Sequence, residues 1–66
     1  MSIVKVIEVI AHSDKSFDDA VKNALTDASK TVKNIKSINV ENMNAKVENN
    51  QIVSYGVNAK ISFEIS

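Results

Sequence analysis

Few residues of this chain could do chemistry, and His12 is the first to weigh. It is the only imidazole in 66 residues, and imidazole is the side chain whose charge changes near neutral pH. A general base needs a nucleophile or an orienting acid within hydrogen-bond range. Ser13 and Asp14 follow it directly, but a solvated junction between a strand and a helix accounts for all three. Asp18, Asp19 and Asp27 raise the question of a metal. A calcium site takes six or more oxygens, usually from a dedicated loop with a glycine at its sharp turn. The three aspartates lack that spacing and fit a wet helix face; only symmetry between copies could gather more carboxylates. One histidine and no cysteine exclude the usual zinc sites within a single chain. Phe17, Phe63 and Tyr55 are the aromatics. The first two fall on apolar faces and read as core, and Tyr55 keeps its hydroxyl at a rim. There is no serine triad, no paired carboxylates and no glycine-rich phosphate loop. Gly56 is the sole glycine, and a lone strand glycine marks a bend or a close approach by another group. These residues point away from an enzyme.

Composition narrows the classes further. Eight basic residues, all lysine, balance eight acids. Nucleic-acid binding draws its affinity from a basic surplus and reads guanine with arginine, so it is not expected. No apolar run approaches the ~20 residues of a membrane span. Lys5 and Glu8 interrupt the stretch from Met1 to Ile10, which does not read as a signal peptide. With 44% hydrophobic residues the chain is globular. The absence of proline and the single glycine predict short loops. The expectation is one cytoplasmic domain over residues 1–66. A chain of this length buries only roughly 60% of its unfolded surface. Without disulfides or a metal, oligomerisation is the remaining source of stability.

Four elements must carry these residues. Ile3 to Ala11 is short and rich in β-branched residues, a strand. Ile3, Ile7 and Val9 lie on one face and Val4, Val6 and Ile10 on the other, so both faces need cover. A helix covers one, and a neighbouring subunit is the economical cover for the other. Phe17, Ala20, Val21, Ala24, Leu25, Ala28 and Val32 draw one apolar helical stripe. Ser13 or Ser16 caps its start, Asp14, Asp18 and Asp19 complement the positive end of the helix dipole, and Lys30 and Lys33 the negative end. Asp18 and Lys22 form an i, i+4 pair. Asn34 is a left-handed stop, which places the helix near residues 14–33. Ser37 to Val47 is a second strand whose apolar phase changes, from Ile38 and Val40 to Met43, Ala45 and Val47. A phase change implies a bulge, near Glu41 and Asn42, although so many asparagines are unfavourable in a strand. Asn49-Asn50 suits a two-residue hairpin. From Val53 to Ile65, Val53, Tyr55, Val57, Ala59, Ile61, Phe63 and Ile65 alternate with small or polar residues, a long strand with one buried face. The fold class is α+β. The order β-α-β-β packs as a three-stranded antiparallel sheet, spatial order 1-3-2, with the helix on the odd face of the third strand.

At this level of detail the chain resembles the dodecins, small bacterial and archaeal proteins. The matching stretches are Lys5-Val6-Ile7-Glu8-Val9, Ser13-x-x-Ser16-Phe17-x-x-Ala20, Ala24-x-x-x-Ala28-Ser29-Lys30-Thr31-Val32-x-Asn34-Ile35 and Ile52-Val53-x-Tyr55-x-Val57-x-x-x-Ile61-x-Phe63. Together they cover almost the whole chain, and their order and spacing are more specific than any one of them. The resemblance implies a β-α-β-β protomer whose sheet wraps the helix, and a hollow homododecamer of cubic symmetry. In flavin-binding members, paired flavins stack between subunits. A tryptophan early in the second strand sandwiches the ring, and a glutamine after the tyrosine of the third strand bonds its polar edge. Such proteins buffer or store flavin and are not catalysts. Some carry coenzyme A, and some relatives without the tryptophan are linked to calcium.

Position by position, the match departs at the ligand. The tryptophan position is Ser37 and the glutamine position is Gly56. Aromatic stacking on a base is worth roughly 1–3 kcal/mol per contact, and each ~1.4 kcal/mol is tenfold in affinity. The expectation is a dodecin-like shell, self-associating and binding a small molecule at Ser37 and Gly56, with weak flavin (FMN or riboflavin) binding. The competing expectation is a non-flavin structural or carrier shell that holds a coenzyme A-like cofactor or a metal ion such as calcium.

Overall fold

The computed structural model describes residues 3–65. The chain runs β1 (Ile3–Ser13), α1 (Phe17–Ala28), β2 (Ile35–Glu48) and β3 (Gln51–Ile65). The strands form one antiparallel sheet in the order β1-β3-β2, so the expected fold class and topology are found.

The asparagines act where the backbone must turn. Asn49 and Asn50 close the β2–β3 hairpin with φ of 52° and 61°, the paired positive values of a tight hairpin turn. The register of β2 against β3 shifts between Val40 and Asn42, which is the expected bulge at Glu41. Two further shifts, between Ile35 and Ser37 and between Lys46 and Val47, lie at the two ends of β2. The first follows the two consecutive polar residues Lys36 and Ser37 between Ile35 and Ile38, and the second leaves no break in the alternation of apolar and polar residues along β2.

The helix is shorter than the apolar stripe suggests. Ser16 is its N-cap, accepting from the Asp19 amide at 3.0 Å. Removing that cap in Ser16→Ala should cost about 1 kcal/mol, measurable as a lower urea midpoint at unchanged slope. The helix ends at Ala28, not near residue 33. Ser29 Oγ donates to the Thr26 carbonyl at 2.9 Å, and the Lys30 and Thr31 amides bond three residues back. Such bonds tighten and close a last turn. Asn34 does adopt a left-handed φ of 62°, but it turns the chain into β2, beyond the helix. Lys30 and Lys33 therefore lie outside the last turn, where no basic residue stands. The helix's ion pair among the described residues is Lys30–Asp27 at 3.7 Å, on exposed side chains, in place of the expected Asp18–Lys22.

Packing is centred on small residues. Ala20, Ala24 and Ala28 are buried and repeat at i, i+4, i+8, a seam that lets the helix backbone approach the sheet closely. Leu25 is turned about 100° from Ala24 around the helix axis and stays 41% exposed. The odd face of β3 meets the seam with Val57, Ala59 and Ile61, each at most 1% exposed. Phe17 stacks edge-on to Tyr55 at 5.0 Å between ring centroids, closing one end of this core.

The core is short compared with the sheet. Twelve helical residues span about 18 Å, whereas the fifteen of β3 span about 50 Å. The protomer measures 52 × 19 × 13 Å, and the helix covers only its middle. The hairpin from Glu41 to Val53 is exposed throughout. On the helix-free face Val4, Val6 and Ile10 are exposed as well, Ile10 to 71%.

Candidate functional site

Residues alternate faces along a strand, so register assigns each candidate to a side. Ser13 is buried on the helix face and opposes Tyr55. Its hydroxyl donates to Asp19 Oδ2 at 2.7 Å and accepts from the Lys15 amide at 2.9 Å. That network shapes the start of the helix. His12 points the other way, onto the helix-free face, while its carbonyl accepts from Asn23 Nδ2 at 2.9 Å. The histidine and the neighbouring serine are thus on opposite sides of the sheet and form no base–nucleophile pair. No cluster of three or more His, Asp or Glu side chains that could hold a metal ion exists among the described residues.

The helix-free face is where the polar residues of β3 converge. Across its three strands run the rows Val6–Ser62–Ser37, Glu8–Lys60–Asn39, Ile10–Asn58–Asn42 and His12–Gly56–Asn44. The bulge at Glu41 keeps these asparagines on this side while Met43 and Ala45 turn to the other. Lys60 reaches Glu41 at 3.6 Å, and Asn39 also bonds Glu41. Lys46 pairs with Glu48 at 3.6 Å.

Ser37 and Gly56 share this face but not one location. Ser37 opposes Ser62, and Gly56 is six residues from Ser62 along β3, about 20 Å at strand spacing. Within one protomer they cannot touch the same small molecule. Gly56 is buried beneath its cross-strand neighbours. A Cβ built on it would lie 2.8 Å from Asn44 Oδ1 and 3.2 Å from His12 Cδ2. Asn58 Oδ1, in the adjoining row, is buried without a hydrogen-bond partner. Reading the sequence did not single out Asn44 or Asn58. The signal for Asn44 was the even-position parity of β2 beyond its bulge, and for Asn58 the even-position parity of β3.

The opposite edge carries a groove of about 560 Å³ between α1 and β1, lined by Ile7, Val9, Ala11, Ala24 and Ala28 among others. It is open, and on the helix side Asn23, Thr26, Asp27, Lys30 and Thr31 line it with polar groups. No helix is long and apolar enough to cross a membrane, among the described residues.

Comparison with known proteins agrees with this architecture. The dodecin from Streptomyces coelicolor is 29% identical, with a TM-score of 0.93 over 98% of this chain and 93% of that one. A variant of the Thermus thermophilus dodecin is 20% identical, with a TM-score of 0.95 over 100% of this chain and 98% of that one, which speaks for the fold alone. The calcium-chelating antigen calcium dodecin from Mycobacterium tuberculosis is 25% identical, with a TM-score of 0.84 over 97% and 91%. No curated protein matches the chain. The model of the Dodecin family matches residues 3–66, nearly the whole length, and with the β-α-β-β topology and the 1-3-2 sheet this chain belongs to the dodecin family.

Proposed function

We propose that twelve copies of this chain close into a hollow cytoplasmic shell that binds and stores a small molecule between subunits, with no catalytic step. The observation that carries the reading is the mismatch between helix and sheet. Ile3, Val4, Val6, Ile10, Met43, Val47, Ile52, Val53 and Ile65 are all at least 40% exposed, in a chain with no disulfide. Burial is worth roughly 25 cal/mol per Å² of apolar surface, so covering both ends and the free face of the sheet favours association strongly. The edge of β1 bears only Lys5 and Glu8 as charges, whereas β2 is protected by lysines and bulges, as edges facing water usually are. We therefore assign β1 to a subunit contact.

Ser37 and Gly56, too far apart in one protomer, serve one ligand only when two copies meet. The residues present do not fit a flavin held by a ring stack and a glutamine amide. Ser37 supplies no ring. The space in which a side chain at position 56 would start is taken by Asn44 and His12. The shell is accordingly proposed to hold flavin weakly. The test is gel filtration monitored at visible flavin wavelengths, with and without added riboflavin or FMN. The expected result is a large assembly that carries no tightly held flavin and takes up added flavin only at high concentration. A yellow protein that keeps its flavin through the column would refute the weak-binding reading.

A further inference from the structure

The pairing of β2 with β3 changes register twice along the hairpin arm, in opposite senses. Ser37–Val40 and, at the tip, Val47 and Glu48 follow one register, with Val40 opposite Ala59 and Val47 opposite Ile52. Between them Asn42–Lys46 is displaced by one residue, with Asn42 opposite Asn58 and Lys46 opposite Ser54. Glu41 is the extra residue on β2 at one boundary, and Val53 is the extra residue on β3 at the other. The two bulges cancel, so the turn at Asn49-Asn50 closes in the register with which the strands leave the core. Register is weakly specified where neither face of a strand is buried, and every residue of β2 from Glu41 and of β3 to Val53 is exposed.

We propose that this arm is a two-state register switch, in which Asn42–Lys46 slides by one residue along Ser54–Asn58 while the pairs on either side stay as they are. In the slid state both bulges are absorbed: Glu41 opposes Asn58, Met43 opposes Gly56 and Ala45 opposes Ser54. A one-residue slide exchanges the faces of every side chain in the segment. Met43, Ala45 and Val47 pass to the helix-free face, and Asn42, Asn44 and Lys46 take their places on the helix side. The arm thus turns its apolar side over with no change in the core or in the turn, a discrete step of one element past another. Gly56 leaves room for either state, because a Cβ there would already lie 2.8 Å from Asn44 Oδ1. Glu41 holds the observed state: it accepts from Asn39 Nδ2 and reaches Lys60 at 3.6 Å, which fastens the bulge. Val4, Val6 and Ile10 are exposed on the helix-free face, so the switch decides whether the arm presents its apolar side with them or away from them. The switch is independent of what the protein stores.

Disulfide trapping in the full chain tests this, because the sequence has no cysteine of its own. Opposed residues of an antiparallel pair lie within the span of a disulfide, and side chains on opposite faces cannot be bridged. Lys46→Cys with Ser54→Cys reports the observed register, and Ala45→Cys with Ser54→Cys reports the slid one. Lys46→Cys with Ile52→Cys is the control: those positions lie on opposite faces in both registers, so that pair closes only when the strands part. Oxidised glutathione takes up the two electrons, and intact mass with non-reducing electrophoresis counts bridges within one chain over time. The observed pair should close fastest. The slid pair should close roughly 10- to 1,000-fold more slowly, the factor set by a minor state populated at about 0.1–10%, yet faster than the control. Glu41→Ala should speed the slid pair about threefold or more, the equivalent of one lost hydrogen bond, and leave the control unchanged. A slid pair that closes no faster than the control, or an observed pair that fails to close, would overturn the switch. Equal acceleration of the slid and control pairs by Glu41→Ala, or of neither, would overturn the holding role of Glu41.

Discussion

Ile61→Ala should remove a large part of the protein's stability. Ile61 is fully buried and sits at the centre of β3, between Ile7 of β1 and Ile38 of β2 and beneath the alanine seam of the helix. Truncating a buried isoleucine costs about 2–5 kcal/mol, the larger values where the surroundings cannot collapse into the cavity. Here the cavity would be walled by three strands and a helix whose backbone already sits close. At the usual stability per residue, a chain of this size has roughly 3–10 kcal/mol in total, so the loss consumes a large part of it. Urea unfolding followed by circular dichroism checks this at fixed protein concentration, because association adds stability by mass action. A midpoint that does not move would mean that the helix–sheet core is centred elsewhere.

Val6→Asp should separate folding from assembly. Val6 opposes Ser62 on the helix-free face and is 55% exposed, so a carboxylate there stays hydrated in a lone protomer and costs its core little. In a contact between copies the same carboxylate would be desolvated without a partner, which is strongly unfavourable. The expected outcome is a drop in mass to small species that keep their β-sheet signal. Unchanged mass would remove β1 from the contact surface.

How much of this was readable in the residues depends on how local the determinant is. The alternation from Val53 to Ile65 is set by each residue's own pleat position, and it identified the buried face of β3. The bulge at Glu41 was legible because the apolar phase of β2 changes there. Asn34, Asn49 and Asn50 were legible because few other residues adopt a positive φ readily. The end of the helix was not, because Val32 continues the apolar spacing although the backbone after Ala28 has already closed its last turn. The crowding over Gly56 was not either. Asn44 meets Gly56, and Asn58 loses its partner, only through a cross-strand register that depends on the shifts in β2, and no single segment encodes that. The separation of Ser37 from Gly56 is of the same kind: both fall on one face by parity, but their spacing follows from the pairing of Ser37 with Ser62.

The most direct test of the account is the mass of the purified protein by light scattering after gel filtration, with no ligand added. The expected result is one species of about twelve times the 7.2 kDa chain mass, unchanged on moderate dilution. A monodisperse protein at 7.2 kDa would contradict it, because the exposed apolar rows of β1 and the hairpin would then face water without cover.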